Sequence, residues 1–544
     1  MRGMHRNPFQ GRREALARIG RLIALPSLTT GCALTALQPG LPQPPPLPRE
    51  FRAVWVASVG NIDWPSRRDL AVAQQQQEMI ALLDRAAAIG LNAIILQARP
   101  SADAIYPSSL EPWSEFLTSQ QGRPPDPAWD PLGRWIEEAH ARGLELHAWI
   151  NPFRARSSAG RGPEASSHIA VRRPDLVRRY GDQLWLDPAE ADAQQHTLAV
   201  VRDLLTRYDV DGLHIDDYFY PYPIRDAAGQ ELDFPDDPVW QRHLTRHRSI
   251  DRAAWRREQV NRLVERLHAT VRAIKPQARF GISPFGLPRP DLRPPGITGF
   301  SQYDKLFADV EGWLAAGWLD YLAPQLYWPR AQTAQAFGPL LSTWILHNPQ
   351  RRAIYPGLYT SRLPDPRDPA ATMPAGWSAD EIAEQIALSR TLLADAGLPL
   401  GHIHFSAIAL LQDRQGIASR LATDVYAEPA LTPRLPLSDR QRDEETSPAP
   451  PGIELTRVGE QSVVRLFLRQ HDPRAFRHAV QWLDRRSGQW RLLIVPARER
   501  LVALVPATAG GTPGVIDRIV IRSIDRSGRE SPPTELVPAG GGGG

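Results

Sequence analysis

The run Asp209-Val-Asp-Gly-Leu-His-Ile-Asp-Asp-Tyr-Phe-Tyr-Pro-Tyr-Pro223 brings four aspartates, a histidine and three tyrosines together around a short apolar segment. A short apolar segment after Gly212 stops on two carboxylates, Asp216 and Asp217. If residues 213–216 are a strand, alternation puts His214 and Asp216 on one face and Leu213 and Ile215 on the other. It also turns Asp217 away from Asp216. A carboxylate delivered by the last residue of a strand can act as nucleophile, base or charge stabiliser. Asp216 is expected to do so, while Asp217 either shares the work or caps the loop. A partner acid would need its pKa raised by an apolar pocket. Glu111, next to Trp113, and Asp103 are the acids placed to supply it. Around them, Trp149, Tyr218, Tyr327 and Trp328 offer aromatic faces, and Arg99, His147, Asn151, His214 and Gln325 offer hydrogen bonds. Sugar rings ask for that mixture of flat apolar faces and polar groups.

Strands and helices alternate along the stretch that carries these residues. Strand-like runs fall at 53–58, 92–97, 144–151, 213–216, 279–283, 321–327, 353–359 and 402–406. Between them lie helical patterns, such as Met79, Leu82, Leu83, Ala86 and Ile89 on one stripe with Gly90 as C-cap. Asp130-Pro131 and Asp187-Pro188 read as helix starts, and Ser378-Ala-Asp-Glu381 as a capping box. This order predicts a (β/α)8 barrel, whose strand C-termini build the site. Asp320, at a strand start, then reads as structural. A doubly wound open sheet is the competing architecture, but it calls for a Gly-rich turn after an early strand, which the sequence lacks.

The 544 residues exceed one barrel, and the remainder divides by composition. Residues 1–32 carry arginines, a short apolar run 22–28 and then Thr-Thr-Gly-Cys32, the only cysteine. This reads as an export signal ending in a lipidation site at Cys32, with Arg12-Arg13 leaving a twin-arginine route open. Residues 33–49 are a proline-rich spacer, 50–428 the barrel, and 429–450 a polar, proline-rich linker. Residues 451–538 switch to a period of two, as in a fibronectin type III-like sandwich, and 539–544 are a glycine tail. The net charge of +4 comes from scattered arginines, so no nucleic-acid partner is expected. The single cysteine excludes a disulfide within the chain.

Gly212-Leu-His-Ile-Asp216 has the spacing of the strand-four motif of amylase-type barrel glycosidases, in which the Asp is the nucleophile. A wider set of motifs resembles the glycosyl-hydrolase-like family ten, a bacterial barrel family that includes divisome-localised peptidoglycan glycosidases. The set comprises Arg52-Ala-Val-Trp-Val-Ala-Ser58, Gln97-Ala-Arg-Pro-Ser-Ala-Asp-Ala-Ile-Tyr-Pro107, Leu110-Glu-Pro-Trp-Ser114 and Leu144-Glu-Leu-His-Ala-Trp-Ile-Asn-Pro152. Asp211-Gly-Leu-His-Ile-Asp-Asp-Tyr-Phe-Tyr-Pro221, Gly281-Ile-Ser-Pro-Phe-Gly286 and Tyr321-Leu-Ala-Pro-Gln-Leu-Tyr-Trp328 complete it. The resemblance covers roughly residues 50–425. It implies a (β/α)8 fold and a glycoside hydrolase cleaving a β-linked amino-sugar glycan, with peptidoglycan strands lacking stem peptides as the leading substrate. Asp216 would be nucleophile or oxocarbenium stabiliser and a loop carboxylate the general acid, with no cofactor and no metal. The expected setting is the bacterial cell envelope, as a periplasmic lipoprotein held at the outer membrane. The C-terminal domain would then be free to meet an envelope protein.

Two other readings compete with this one. An amylase-type barrel has a Glu after strand five, where this chain reads Ser283-Pro-Phe. A non-catalytic glycan-binding lipoprotein on a barrel scaffold would fit that gap. A metal-dependent hydrolase would instead gather His147, His214, Asp216, His402 and His404 around an ion.

Overall fold

The computed structural model describes residues 42–246, 251–365, 367, 376–435, 447–458, 463–470, 472–485, 487–504 and 516–537. Cys32, the export segment and the glycine tail lie outside the described residues. The chain forms two compact units, one spanning 47–446 with 526–529 and the other drawn from 42–46, 447–525 and 530–537.

The larger unit is a parallel barrel. Its strands are β1 (Phe51–Val56), β2 (Ala93–Arg99), β3 (Glu145–Ile150), β4 (Gly212–Ile215), β5 (Arg279–Ile282), β6 (Tyr321–Leu322), β7 (Ala353–Ile354 and Gly357–Leu358) and β8 (Gly401–His404). Each pairs in parallel with the next, and β8 pairs back onto β1. The first half of β7 pairs with β6 and its second half with β8, so among the described residues eight strand runs close the sheet on itself. The expected runs 321–327 and 353–359 are cut short because Pro324 and Pro356 have no N–H to give the ladder. The isolated pairings of Gln325 with Phe285 and Gly357 carry the sheet past the break.

The intervening helices include α1 (Val72–Ile89), α2 (Pro131–Ala141), α3 (Ala191–Arg207), α4 (Arg252–Ile274), α5 (Val310–Ala316), α6 (Phe337–Leu346) and α7 (Ala379–Asp395). Their boundaries follow from capping. Gly90 ends α1 in the left-handed region, Asp130 accepts from Gly133 N at 3.0 Å, and Ser378 accepts from Glu381 N at 3.0 Å. Asp187 instead closes a turn onto Ala189 N, and α3 starts only at Ala191.

Inside the barrel, alternate residues fill the space in layers, Phe51, Ala53, Trp55, Ile95, Trp149, Tyr321, Tyr355 and Ile403 among them. Two glycines make room for this. A Cβ on Gly281 would collide with the Tyr321 ring, and one on Gly212 would lie 2.7 Å from the His147 ring. The arginine-rich stretch after β3 is not a plain loop. It folds into a three-stranded antiparallel sheet of Arg154–Arg156, Gln183–Leu186 and Val177–Tyr180.

The smaller unit holds β9 (Gly452–Val458), β10 (Val463–Gln470), β11 (Ala475–Asp484), β12 (Gln489–Pro496), β13 (Leu501–Leu504), β14 (Ile516–Asp525) and β15 (Thr534–Leu536). They form the antiparallel sheets β9-β10-β13 and β12-β11-β14-β15. Both sheets contribute to one core, with Leu466 and Val502 from one and Val480, Trp482 and Ile521 from the other. A three-plus-four arrangement in this order is a fibronectin type III-like sandwich. Its outer strands β9 and β15 were not evident as period-two runs. The proline-rich run is not wholly a free spacer, since the Pro42 and Pro45 carbonyls accept from Arg518 and Gln481 of this unit.

Candidate active site

At the C-terminal ends of the barrel strands lies a cavity of about 200 Å³. Trp55, Trp149, Tyr327 and Phe405 give it aromatic walls, and Gln97, Arg154, Ser283 and Gln325 give it polar edges. Asp216 and Asp217 both open into it. The expectation that they point apart fails because β4 ends at Ile215, so both residues lie beyond the pleat and are free of its alternation.

Asp216 is buried and its oxygens are ringed by donors. Trp149 Nε1 donates to Oδ2 at 3.0 Å, Asn151 Nδ2 to both oxygens at 3.1 and 3.2 Å, and Tyr218 N to Oδ1 at 3.4 Å. Asp217 accepts from the Tyr222 hydroxyl in a short hydrogen bond, and from the Gln325 side chain. Burial pushes Asp216 up to about 7, and the charge of Asp217 adds to the push against the pull of Arg154. Burial raises Asp217 as well, opposed by the Tyr222 and Gln325 donors. Burial raises both of these consecutive carboxyls, which favours one proton retained by the pair.

Glu111 is elsewhere. Arg99 Nε donates to its two oxygens at 3.1 and 2.8 Å, Arg99 NH2 donates at 2.5 Å, and His196 Nε2 lies 2.8 Å away. Burial alone would raise this carboxyl, but the Arg99 guanidinium and His196 override it and hold Glu111 down at about 2. A carboxylate so held is a poor proton donor, and neither Glu111 nor Arg99 lines the cavity. Arg99 also donates to the Asn151 carbonyl, so its task is to fix the residue that holds Asp216. Asp103 lines a separate small cleft with Gln121 and Arg156, where burial raises it to about 6.

His147 and His214 lie below the cavity, inside the barrel. Trp55 Nε1, which can only donate, bonds His214 Nε2 at 3.1 Å, so the His214 proton sits on Nδ1. That Nδ1 donates to the Tyr321 hydroxyl at 2.9 Å, and Tyr321 in turn donates to His147 Nδ1 at 2.9 Å. The column ends on Glu145 Oε2, 3.3 Å from His147 Nε2. Burial, with His147 beside it, pushes His214 well below the usual imidazole range and keeps it neutral. These histidines therefore brace Trp55 from beneath and are not among the residues that line the cavity. Their rings point inward because strand alternation places His147 in the same row as Trp149 on β3, and the register pairs His214 on β4 beside Trp149.

Of the residues singled out as sugar contacts, Trp149, Tyr218, Gln325 and Tyr327 line the cavity, and Asn151 donates to Asp216. Trp328 does not reach it and packs against Phe285 at 5.6 Å. His402 and His404 face the outer layer, where both bond the Tyr426 hydroxyl. The five residues of the metal reading therefore do not converge. Trp55, Gln97, Arg154, Tyr222, Ser283 and Phe405 are cavity residues that the sequence reading missed. The inward row Phe51, Ala53, Trp55, Ala57 was the signal available for Trp55.

The family profile described as Glycosyl hydrolase-like 10 matches residues 50–373. The chain is 41% identical over 419 residues to Glycosyl hydrolase YngK of Bacillus subtilis (strain 168), covering 76% of this chain and 77% of that protein. It is 31% identical over 374 residues to Glycosyl hydrolase DigH of Escherichia coli (strain K12), covering 63% and 83% respectively. Among solved structures, the PgaB (BpsB) glycoside hydrolase domain from Bordetella bronchiseptica superposes with a TM-score of 0.44 at 15% identity, over 69% of this chain and 98% of that one.

Proposed function

The chain belongs to the Glycosyl hydrolase-like 10 family, and from that premise we propose that it hydrolyses a β-linked amino-sugar glycan, peptidoglycan strands without stem peptides foremost. The observation that carries this reading is the pair Asp216 and Asp217, buried side by side in an aromatic-walled cavity at the end of β4. The names of the relatives as glycosyl hydrolases support it.

Hydrogen bonding divides the labour. Asp216 already accepts from N–H donors on both oxygens, which favours its anion. Asp217 then carries the shared proton and gives it to the glycosidic oxygen as the C–O bond breaks, the bonding electrons leaving with that oxygen. The Asp216 carboxylate stabilises the positive charge developing at the anomeric carbon. Water finally places its hydroxyl on that carbon and returns its proton to the pair. Trp55, Trp149, Tyr327 and Phe405 offer the sugar faces to stack on.

The position after β5 supports one other reading. Ser283, a hydroxyl, occupies the cavity edge where an amylase-type barrel has an acid, as in a glycan-binding protein that does not cleave. Incubating the protein with peptide-stripped glycan strands and with intact sacculi separates the two. New reducing ends from stripped strands are expected. Pelleting with sacculi without any product would favour the binding reading. The proposal extends to a lipid anchor on Cys32 in the bacterial envelope. Mass spectrometry of the mature N-terminus should find a diacylglyceryl-cysteine start, and a mature form lacking it would contradict the anchor.

A further inference from the structure

Gln97 closes the inward row of β2 and lines the cavity, fully buried. Its Oε1 accepts from Ser58 N at 3.1 Å and Val59 N at 2.9 Å, and its carbonyl accepts from the Ser58 hydroxyl at 2.8 Å. Backbone N–H groups can only donate, so the oxygen of the amide must face the loop after β1. The orientation of the amide is thereby fixed, and its NH2 must face the other way. That Nε2 has no acceptor among the described residues of the chain. An idle buried donor is unfavourable, so a position that holds one in a binding cavity is matched to an acceptor that arrives with a ligand.

Gln97 is also placed beside the reacting pair. It is in register with Trp149 on β3, the residue whose indole N–H holds Asp216. We infer that the Gln97 amide is a substrate-binding donor, giving its N–H to an oxygen of the sugar bound at Asp216 and Asp217. The acceptor is the carbonyl of a 2-acetamido group or a ring hydroxyl next to the reacting carbon. This rests on the glycan reading above and adds to it the contact that would distinguish one sugar from another.

Gln97→Glu keeps an oxygen for Ser58 N and Val59 N and removes the donor, whereas Gln97→Leu removes both. Each would be made in the full chain carrying Asp216→Asn, and titrated calorimetrically with β-1,4-linked tetramers of N-acetylglucosamine and of glucosamine. Gln97→Glu is expected to bind the N-acetylated tetramer about tenfold more weakly or worse, for one lost hydrogen bond. A loss confined to that tetramer would assign the acceptor as the acetamido carbonyl, and an equal loss for both as a hydroxyl. If Gln97→Glu binds as tightly as its Asp216→Asn parent while Gln97→Leu does not, Gln97 only braces the loop and the inference is overturned. If the Asp216→Asn parent binds neither tetramer, the glycan reading itself falls and the inference falls with it.

Discussion

Glu111 and Asp216 are both fully enclosed carboxyls on the same barrel, and their surroundings move them in opposite directions. Burial raises each, since a charged group leaves water. At Glu111 a guanidinium grips both oxygens and the carboxyl falls to about 2, whereas at Asp216 the hydrogen-bond donors are neutral N–H groups, the pull of Arg154 does not offset burial, and the carboxyl rises to about 7. The two are connected, because Arg99 holds Glu111 with one side of its guanidinium and the Asn151 carbonyl with another, and the Asn151 amide holds Asp216. One carboxylate is spent on rigidity and the other is left able to exchange a proton.

Breaking the ion pair should have the largest effect on stability. Glu111→Gln leaves Arg99 buried without its partner and should lose roughly 3–5 kcal/mol in denaturant unfolding. A variant as stable as the wild type would show that the Arg99–Glu111 pair does not brace the fold. Stability against pH sharpens the contrast. Burial raises both carboxyls of the Asp216 and Asp217 pair above their unfolded values, so the stability contributed by the proton the pair holds falls as pH rises from about 4 to about 7. Asp216→Asn should lack that fall, gaining on the wild type by on the order of 2–4 kcal/mol across the window. Glu111 has the opposite sign, because its depressed pKa stabilises above about 4.5 and that contribution is lost as pH falls toward 2. A parallel pH slope for the two variants would refute the comparison.

A smaller effect is expected at Tyr222, whose hydroxyl favours the Asp217 anion. Wild-type turnover should decline above about pH 7 as the shared proton leaves, and Tyr222→Phe should move that limb upward by a fraction of a unit. Asp103 lines a different cleft, so Asp103→Asn should alter turnover on stripped glycan strands by less than about twofold. A large loss there would return Asp103 to the site.

The sequence carried the barrel because alternation and helical stripes act over a few residues, and Gly281 and Gly212 fit the bulky rings opposite them. It also carried Asp216, because the end of a barrel strand is a place that topology assigns. It did not carry the ion pair of Glu111. Arg99 and Glu111 meet only because the loop after β2 folds back, with Ala104 paired to Trp113, and that return is not written in any short pattern. Alternation likewise put His147 and His214 on the inward face without saying at what depth, and only the Trp55–His214–Tyr321–His147 column shows that they lie beneath the cavity. Asp217 was misplaced because the strand ends one residue before Asp216.

Release of reducing ends from peptide-stripped glycan strands by Asp216→Asn, Asp217→Asn and Glu111→Gln, each corrected for its folded fraction, tests the central claim most directly. Both aspartate variants should lose at least about a thousandfold in rate, as for removal of a principal catalytic group. Glu111→Gln should stay within about tenfold of the wild type. Full activity in either aspartate variant, or a thousandfold loss confined to Glu111→Gln, would contradict the account.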